Sequence, residues 1–173
     1  MKSMFLIIGL GNPGQKYEKT RHNIGFRILD ALKKSLDKAR DKNVVLFKPQ
    51  TFMNQSGRAV KKLIQNSKFK IQDSIIVHDD IDLPLGTIRI SKNISSAGHK
   101  GVQSIIDELK SKNFARFRIG IRPKFTVDSE KFVLQKFTKQ EEKVIEKVIE
   151  KAVEIIEESL KQGIKKTTIV MPI

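Results

Sequence analysis

The sequence predicts an α/β fold in three layers, carried by one domain over residues 1–173. Three observations lead there. Short apolar runs alternate with amphipathic stretches at helical spacing. The 173 residues suit one domain, or at most two small ones, and can bury a core without staples. No linker rich in Gly, Ser or Pro and no long-period repeat divides the chain.

Ser3–Leu10 is an expected buried strand, with Met4, Phe5, Leu6, Ile7 and Ile8 in a row. His22–Leu36 is an expected helix, because Ile24, Ile28, Leu29, Leu32 and Leu36 recur at helical spacing; Thr20 or Asn23 would cap it. Residues 33–42 form a basic helix end or a loop. Val44–Phe47 is a short strand and Gln55–Ser67 a second helix with Val60, Leu63 and Ile64 inward. Ser74–His78 is an apolar strand that ends in His-Asp-Asp. Thr87–Ser91 alternates as a strand, Asn93–Gly98 is a polar loop, His99–Lys110 a helix and Ala115–Arg122 a strand. Lys139–Gln162 is the strongest helix: Val144, Ile145, Val148, Ile149, Ala152, Ile155, Ile156 and Leu160 make one stripe. Its repeat of four residues points to a surface helix and away from a coiled coil.

Composition narrows the function classes. With no cysteine, disulfides, thiolate metal sites and a cysteine nucleophile are excluded. No apolar run approaches the roughly 18 residues of a membrane span. The start, MKSMFLIIGLGNPG, lacks a small-residue cleavage pattern and is expected to be a strand, not a signal peptide. Lys and Arg number 34 against 19 Asp and Glu, a net charge of +15. Residues 139–162 hold 5 Lys and 7 Glu, so the rest of the chain carries +17. Such an excess suits a polyanionic partner: RNA, DNA or an anionic membrane. A Lys-rich composition without electrostatic purpose explains it as simply.

Four polar segments fall where strands are expected to end, the place where open α/β sheets bind ligands. Gly9-Leu-Gly-Asn-Pro-Gly14 matches a dinucleotide fingerprint in letters only. Pro13 disfavours helix at Asn12, eight polar residues precede the helical pattern, and Asp30 falls in mid-helix. A tight turn, or Asn12 presenting its amide to a substrate, remain. Tyr17-Glu-Lys-Thr-Arg-His-Asn23 holds His22, a cap or a proton acceptor near pH 7, and Tyr17, core or stacking surface. Lys48-Pro-Gln-Thr-Phe-Met-Asn54 offers Phe52 and Met53, site residues or simply core, and Asn54, which reads as an N-cap. His78-Asp-Asp-Ile-Asp82 offers carboxylates for a metal, for orienting a histidine, or for a turn. Gly98-His-Lys-Gly101 is a basic helix start suited to phosphate, or a turn and cap.

Together these segments resemble the bacterial-type peptidyl-tRNA hydrolase family. The matching stretches are GLGNPGQKYEKTRHNIGF (9–26), KPQTFMNQSG (48–57), VHDDIDLPLGTIRI (77–90), GHKG (98–101) and FRIGI (117–121). The resemblance implies a single α/β/α domain around a twisted mixed β-sheet. It implies hydrolysis of the ester joining a peptide to the 3′-terminal ribose of tRNA, without cofactor or metal, by a cytoplasmic monomer. By position, His22 matches the general base, Asp79 the carboxylate that orients it, and Asn12 the residue that tells a blocked peptidyl group from a free aminoacyl group. Asn54, Tyr17, Phe52, Met53, His99 and Lys100 match positions that hold the substrate or the tRNA end. Two departures stand out. Lys100 replaces an Asn frequent in the family, and the stretch between Leu36 and Lys48 is short, which implies a trimmed sheet edge. The loop 93–97 also lacks a Gly-rich run, which implies a stiffer gate. A non-catalytic RNA-binding relative is the second reading, and a dinucleotide-dependent oxidoreductase the third.

Overall fold

Six strands form one mixed sheet in the order β2-β1-β3-β5-β4-β6. The computed structural model describes residues 4–39, 43–122 and 124–172. Ser3 and residues 40–42, where the sequence places the first strand's start and the end of the basic stretch, lie outside them. The strands are β1 (Phe5–Gly9), β2 (Val44–Phe47), β3 (Ser74–Pro84), β4 (Thr87–Lys92), β5 (Ala115–Arg122) and β6 (Thr167–Val170). Pairs β1–β2, β1–β3 and β3–β5 are parallel; β4–β5 and β4–β6 are antiparallel. The helices are α1 (Ile24–Ala39), α2 (Ser56–Gln65), α3 (Lys100–Leu109), α4 (Ser129–Phe132) and α5 (Lys139–Gln162).

Strand alternation sends residues to opposite faces. Ile7, Ile75, Val77, Phe117 and Ile119 pack on α1 and α5, while Leu6, Ile8 and Ile76 join the core shared with α2 and α3. The α5 stripe works as its spacing requires: Ile145, Val148, Ala152, Ile155 and Ile156 are buried. A capping box between Thr138 and Glu141 starts that helix.

Three expectations are corrected. The first helix starts at Ile24, after a 3-10 turn over Arg21–Asn23 that holds His22. Neither Thr20 nor Asn23 caps it through its side chain, because both are committed elsewhere: the Thr20 hydroxyl donates to Tyr17 O at 2.7 Å, and Asn23 binds Asn12. Strand β3 does not stop at His78. It continues through His-Asp-Asp because β5 pairs with it up to Asp80↔Gly120. An irregularity then absorbs Pro84, made possible by Gly120: a Cβ there would stand 2.0 Å from Pro84 O. Third, β6, unforeseen, extends the sheet beyond β4. At the other edge, β2 is a half-buried strand of four residues and ends the sheet among the described residues.

Gly25 fixes the approach of α1 to the sheet. A Cβ on it would lie 2.4 Å from Val77 O and 2.6 Å from Leu10 N and O, all backbone atoms that cannot yield. Gly25→Ala should therefore lower Tm by roughly 4–12 °C, the effect of about 2–3 kcal/mol of overpacking in a chain this size, and should lower turnover by displacing His22. Thermal unfolding followed by circular dichroism checks this; a Tm within about 2 °C of wild type would contradict it.

Candidate active site

β3 carries Asp79 beyond the carboxyl end of β1, whose register with β3 stops at Gly9↔Val77. The 3-10 turn before α1 delivers His22 to the same place. His22 Nδ1 lies 2.8 Å from Asp79 Oδ1 and 2.9 Å from Oδ2. An ionised carboxylate only accepts, so Nδ1 carries the proton and Nε2 is the free lone pair. Both residues are buried, yet both line a pocket of about 450 Å³.

Asp79 has a second imidazole. His99 Nε2 donates to Oδ1 at 2.9 Å, and His99 Nδ1 accepts from Val102 N at 3.2 Å as the N-cap of α3. Both nitrogens of His99 are thus committed within the chain. Burial alone would raise the pKa of Asp79. The charges and hydrogen bonds of His22 and His99 outweigh it and hold the carboxyl well below its usual range. His78 lies behind them, its ring 4.6 Å from that of His99. Burial, with the charges of His99 and Arg116 added, keeps His78 well below the ordinary imidazole value. Its Nδ1 donates to Asp79 O at 2.6 Å. The remaining carboxylates of the motif do not meet His22: Asp80, though on the pocket lining, accepts from Arg118 Nε at 2.7 Å and Asp82 N at 2.9 Å, and Asp82 is exposed.

Asn12 is fixed from three sides. Asn23 accepts from Asn12 N through Oδ1 and donates to Asn12 O through Nδ2, each at 2.9 Å. Met53 N donates to Asn12 Oδ1 at 2.8 Å. That backbone donor settles the amide's orientation and leaves Nδ2 as a donor at the pocket wall. Met53 itself is buried, with its sulfur where a Cβ of Gly101 would fall.

Aromatic faces and a charged pair make the rim. Tyr17 and Phe52 meet edge to face, with centroids 6.3 Å apart, and Phe52 is 55% exposed. Asn54 does not cap a helix: it sits within the 3-10 turn Met53–Gln55, which displaces the cap position to Gln55, and it lines the pocket exposed. Lys100 Nζ, at the start of α3, pairs with Glu130 Oε1 of α4 at 2.8 Å, both on the pocket lining. The loop 93–98 takes positive φ at Asn93 (60°), Ala97 (51°) and Gly98 (79°), so left-handed backbone persists where the Gly-rich run is missing. The sequence hid the roles of Asn23, Arg21 and Glu130. The TRHN tetrapeptide was the available signal for the first two; for Glu130 there was none.

His22, Asp79 and His99 also have the atom types of a metal site, their ligand atoms lying within 4.8 Å of one another. The N–O separations of 2.8 and 2.9 Å are those of hydrogen bonds. Donors each about 2.0–2.1 Å from a shared ion stand farther apart, and both imidazoles would have to give up the protons they place on Asp79. The residues as arranged fit a hydrogen-bonded triad better than an ion. The dinucleotide reading fails too: Gly9–Gly14 leads into a three-residue 3-10 turn, Gln15–Tyr17, and Asp30 pairs with Lys48 at 2.5 Å.

Comparison with known proteins follows the same direction. A family profile described as peptidyl-tRNA hydrolase matches residues 6–171. A peptidyl-tRNA hydrolase of Aquifex aeolicus (strain VF5) is 49% identical over 156 residues, 81% of each chain. One of Thermodesulfovibrio yellowstonii is 44% identical over 158 residues, 82% of this chain and 84% of that one. A solved structure of peptidyl-tRNA hydrolase from Acinetobacter baumannii superposes with a TM-score of 0.81 at 31% identity, covering 94% of this chain and 91% of the other.

Proposed function

The chain belongs to the peptidyl-tRNA hydrolase family, and from that membership we propose that His22 is its general base, Asp79 the partner that orients it, and Asn12 the polarising donor. The reaction is hydrolysis of the ester between the peptide and the 3′-terminal ribose of tRNA. The observation that carries the assignment is the pair of contacts from His22 Nδ1 to both oxygens of Asp79. They leave Nε2 to take a proton from water as it attacks the acyl carbon. Asp79 then stabilises the imidazolium, which returns its proton to the leaving ribose oxygen. Asn12 Nδ2 donates to the carbonyl oxygen as charge develops on it; one such donor is worth about 10²–10³-fold. An ester is already an activated acyl group, so these parts suffice.

Tyr17, Phe52 and Leu134 offer apolar faces for a base or a peptide side chain, Asn54 a polar contact, and Lys100 a charge for phosphate. Met53 and His99 support the site from behind, through Asn12 and Asp79. One chain supplies every group named, which supports a working monomer. One sheet with a core on each face supports a single domain. The substrate arises at the ribosome, which supports action in the cytoplasm.

Glu130 competes with substrate phosphate for Lys100. Glu130→Gln should lower KM about twofold to fivefold at low ionic strength, the range of an exposed ion pair, and the gain should vanish in high salt. An unchanged KM at low salt would contradict a phosphate contact at Lys100.

The reading is tested with N-acetyl-aminoacyl-tRNA and unblocked aminoacyl-tRNA. Release of the blocked amino acid alone is expected. Binding of both without cleavage would replace the enzyme by an RNA-binding relative.

A further inference from the structure

The turn that carries His22 has no regular secondary structure to hold it, yet its geometry decides the reaction. Besides the bonds of His22 to Asp79 and of Asn23 to Asn12, what holds it is one stretch, residues 132–141. Arg21 N donates to Gln135 O at 3.0 Å and His22 N to Val133 O at 2.8 Å. Thr20 and Lys136 form an isolated antiparallel bridge. The Arg21 side chain adds the rest. Nη1 donates to Lys136 O at 2.6 Å, and Nη2 pairs with Glu141 Oε2 at 2.7 Å. Its guanidinium carbon lies 4.1 Å from the centroid of the Phe132 ring and 5.1 Å from that of Phe137. Glu141 is itself immobilised, since the same oxygen accepts from Thr138 N at 2.7 Å in the capping box of α5.

Burying a guanidinium to 3% exposure is costly unless its bonds are made in fixed geometry. Here Nε makes none, and the bonds of Nη1 and Nη2 both run to one segment, which also supplies Val133 and Leu134 to the pocket wall. We propose that Arg21 is a positioning residue for His22, clamping the catalytic turn to the 132–141 segment so that base and pocket wall move as one body. This rests on His22 as the base. Lysine can reach Glu141 but cannot also hold Lys136 O and stack on both rings.

The test measures single-turnover cleavage of N-acetyl-aminoacyl-tRNA and tRNA affinity for wild type, Arg21→Lys, Arg21→Met and Glu141→Gln, and for Arg21→Met combined with His22→Ala. Misplacement of a catalytic group by about 1 Å costs on the order of 10²-fold. Arg21→Met should therefore lose about 10–100-fold in rate with tRNA affinity within about threefold, Arg21→Lys should recover part of that, and Glu141→Gln should lose about 3–10-fold. In the His22→Ala background Arg21→Met should change nothing further, because there is no base left to position. An equal further loss in that background, or a normal rate in Arg21→Met, would overturn the proposal. If Arg21→Met does not fold, Glu141→Gln with and without His22→Ala decides by the same criterion. A wild type that does not cleave would overturn His22 as the base, and the clamp with it; a cleaving wild type with silent clamp variants would overturn the clamp alone.

Discussion

His22→Ala should lower the rate of peptidyl-tRNA cleavage by about 10²–10⁴-fold, the usual contribution of a general base, while tRNA affinity stays within about threefold. The asymmetry follows from geometry. Nδ1 of His22 is turned to Asp79, so what the substrate meets is the base Nε2. Removing the ring removes the proton acceptor, but Asn12, Tyr17, Phe52 and Lys100 keep their places, because none of them bonds to His22. The backbone of residue 22 also keeps its bond to Val133 O, so the turn survives. Single-turnover kinetics with enzyme in excess, beside a filter-binding titration, reads both quantities. More than a tenth of the wild-type rate in the variant would remove His22 as the base.

Asp79→Asn should cost nearly as much, about 10²–10⁴-fold, by a different route. The carboxylate accepts from two imidazoles at once. An amide keeps the oxygen that both rings meet, but it replaces the other, 2.9 Å from His22 Nδ1, by a donating nitrogen, and it cannot stabilise an imidazolium by charge. One ring loses its tautomer or its orientation. The pH behaviour follows from the direction of the shift. Asp79 is held below the usual carboxylate range in the fold. Its ionisation therefore adds stability that is complete above the unfolded value, about 3.9, and is lost as pH falls through the lower folded value. Asp79 stays ionised between about pH 7 and 5, so a fall in wild-type rate there does not come from Asp79. Chemical denaturation at pH 7 and pH 3, wild type against variant, should show the stability difference shrinking at the lower pH. A difference that grows there would contradict the ion-pair account.

The sequence made some of this legible and hid the rest for physical reasons. Apolar periodicity marked Lys139–Gln162 and Ala115–Arg122 to the residue, since burial on one face leaves a readable spacing. It could not follow β3 past His78. There polar side chains occupy strand positions, and the strand persists through backbone bonds to β5, which no hydropathy pattern records. β6 was missed although Thr-Thr-Ile-Val has β propensity, because its partner is β4, some eighty residues upstream. His22, Asp79 and Asn12 were visible as residue types at expected strand ends and by resemblance. Resemblance also paired Asp79 with His22; the rest of their bonding was not legible. Asn23, expected among the caps, instead grips Asn12, and His99 turns out to share Asp79; both facts depend on which chain segments meet, not on spacing within one.

The most direct measurement is a double-mutant cycle on the rate of ester cleavage, with His22→Ala, Asp79→Asn and the two combined. If Asp79 acts only through His22, the double variant should be no slower than His22→Ala, within about threefold, because residues working as a unit are strongly non-additive. Losses that multiply, each change costing its full factor in the presence of the other, would mean that the two residues act separately and would contradict the account.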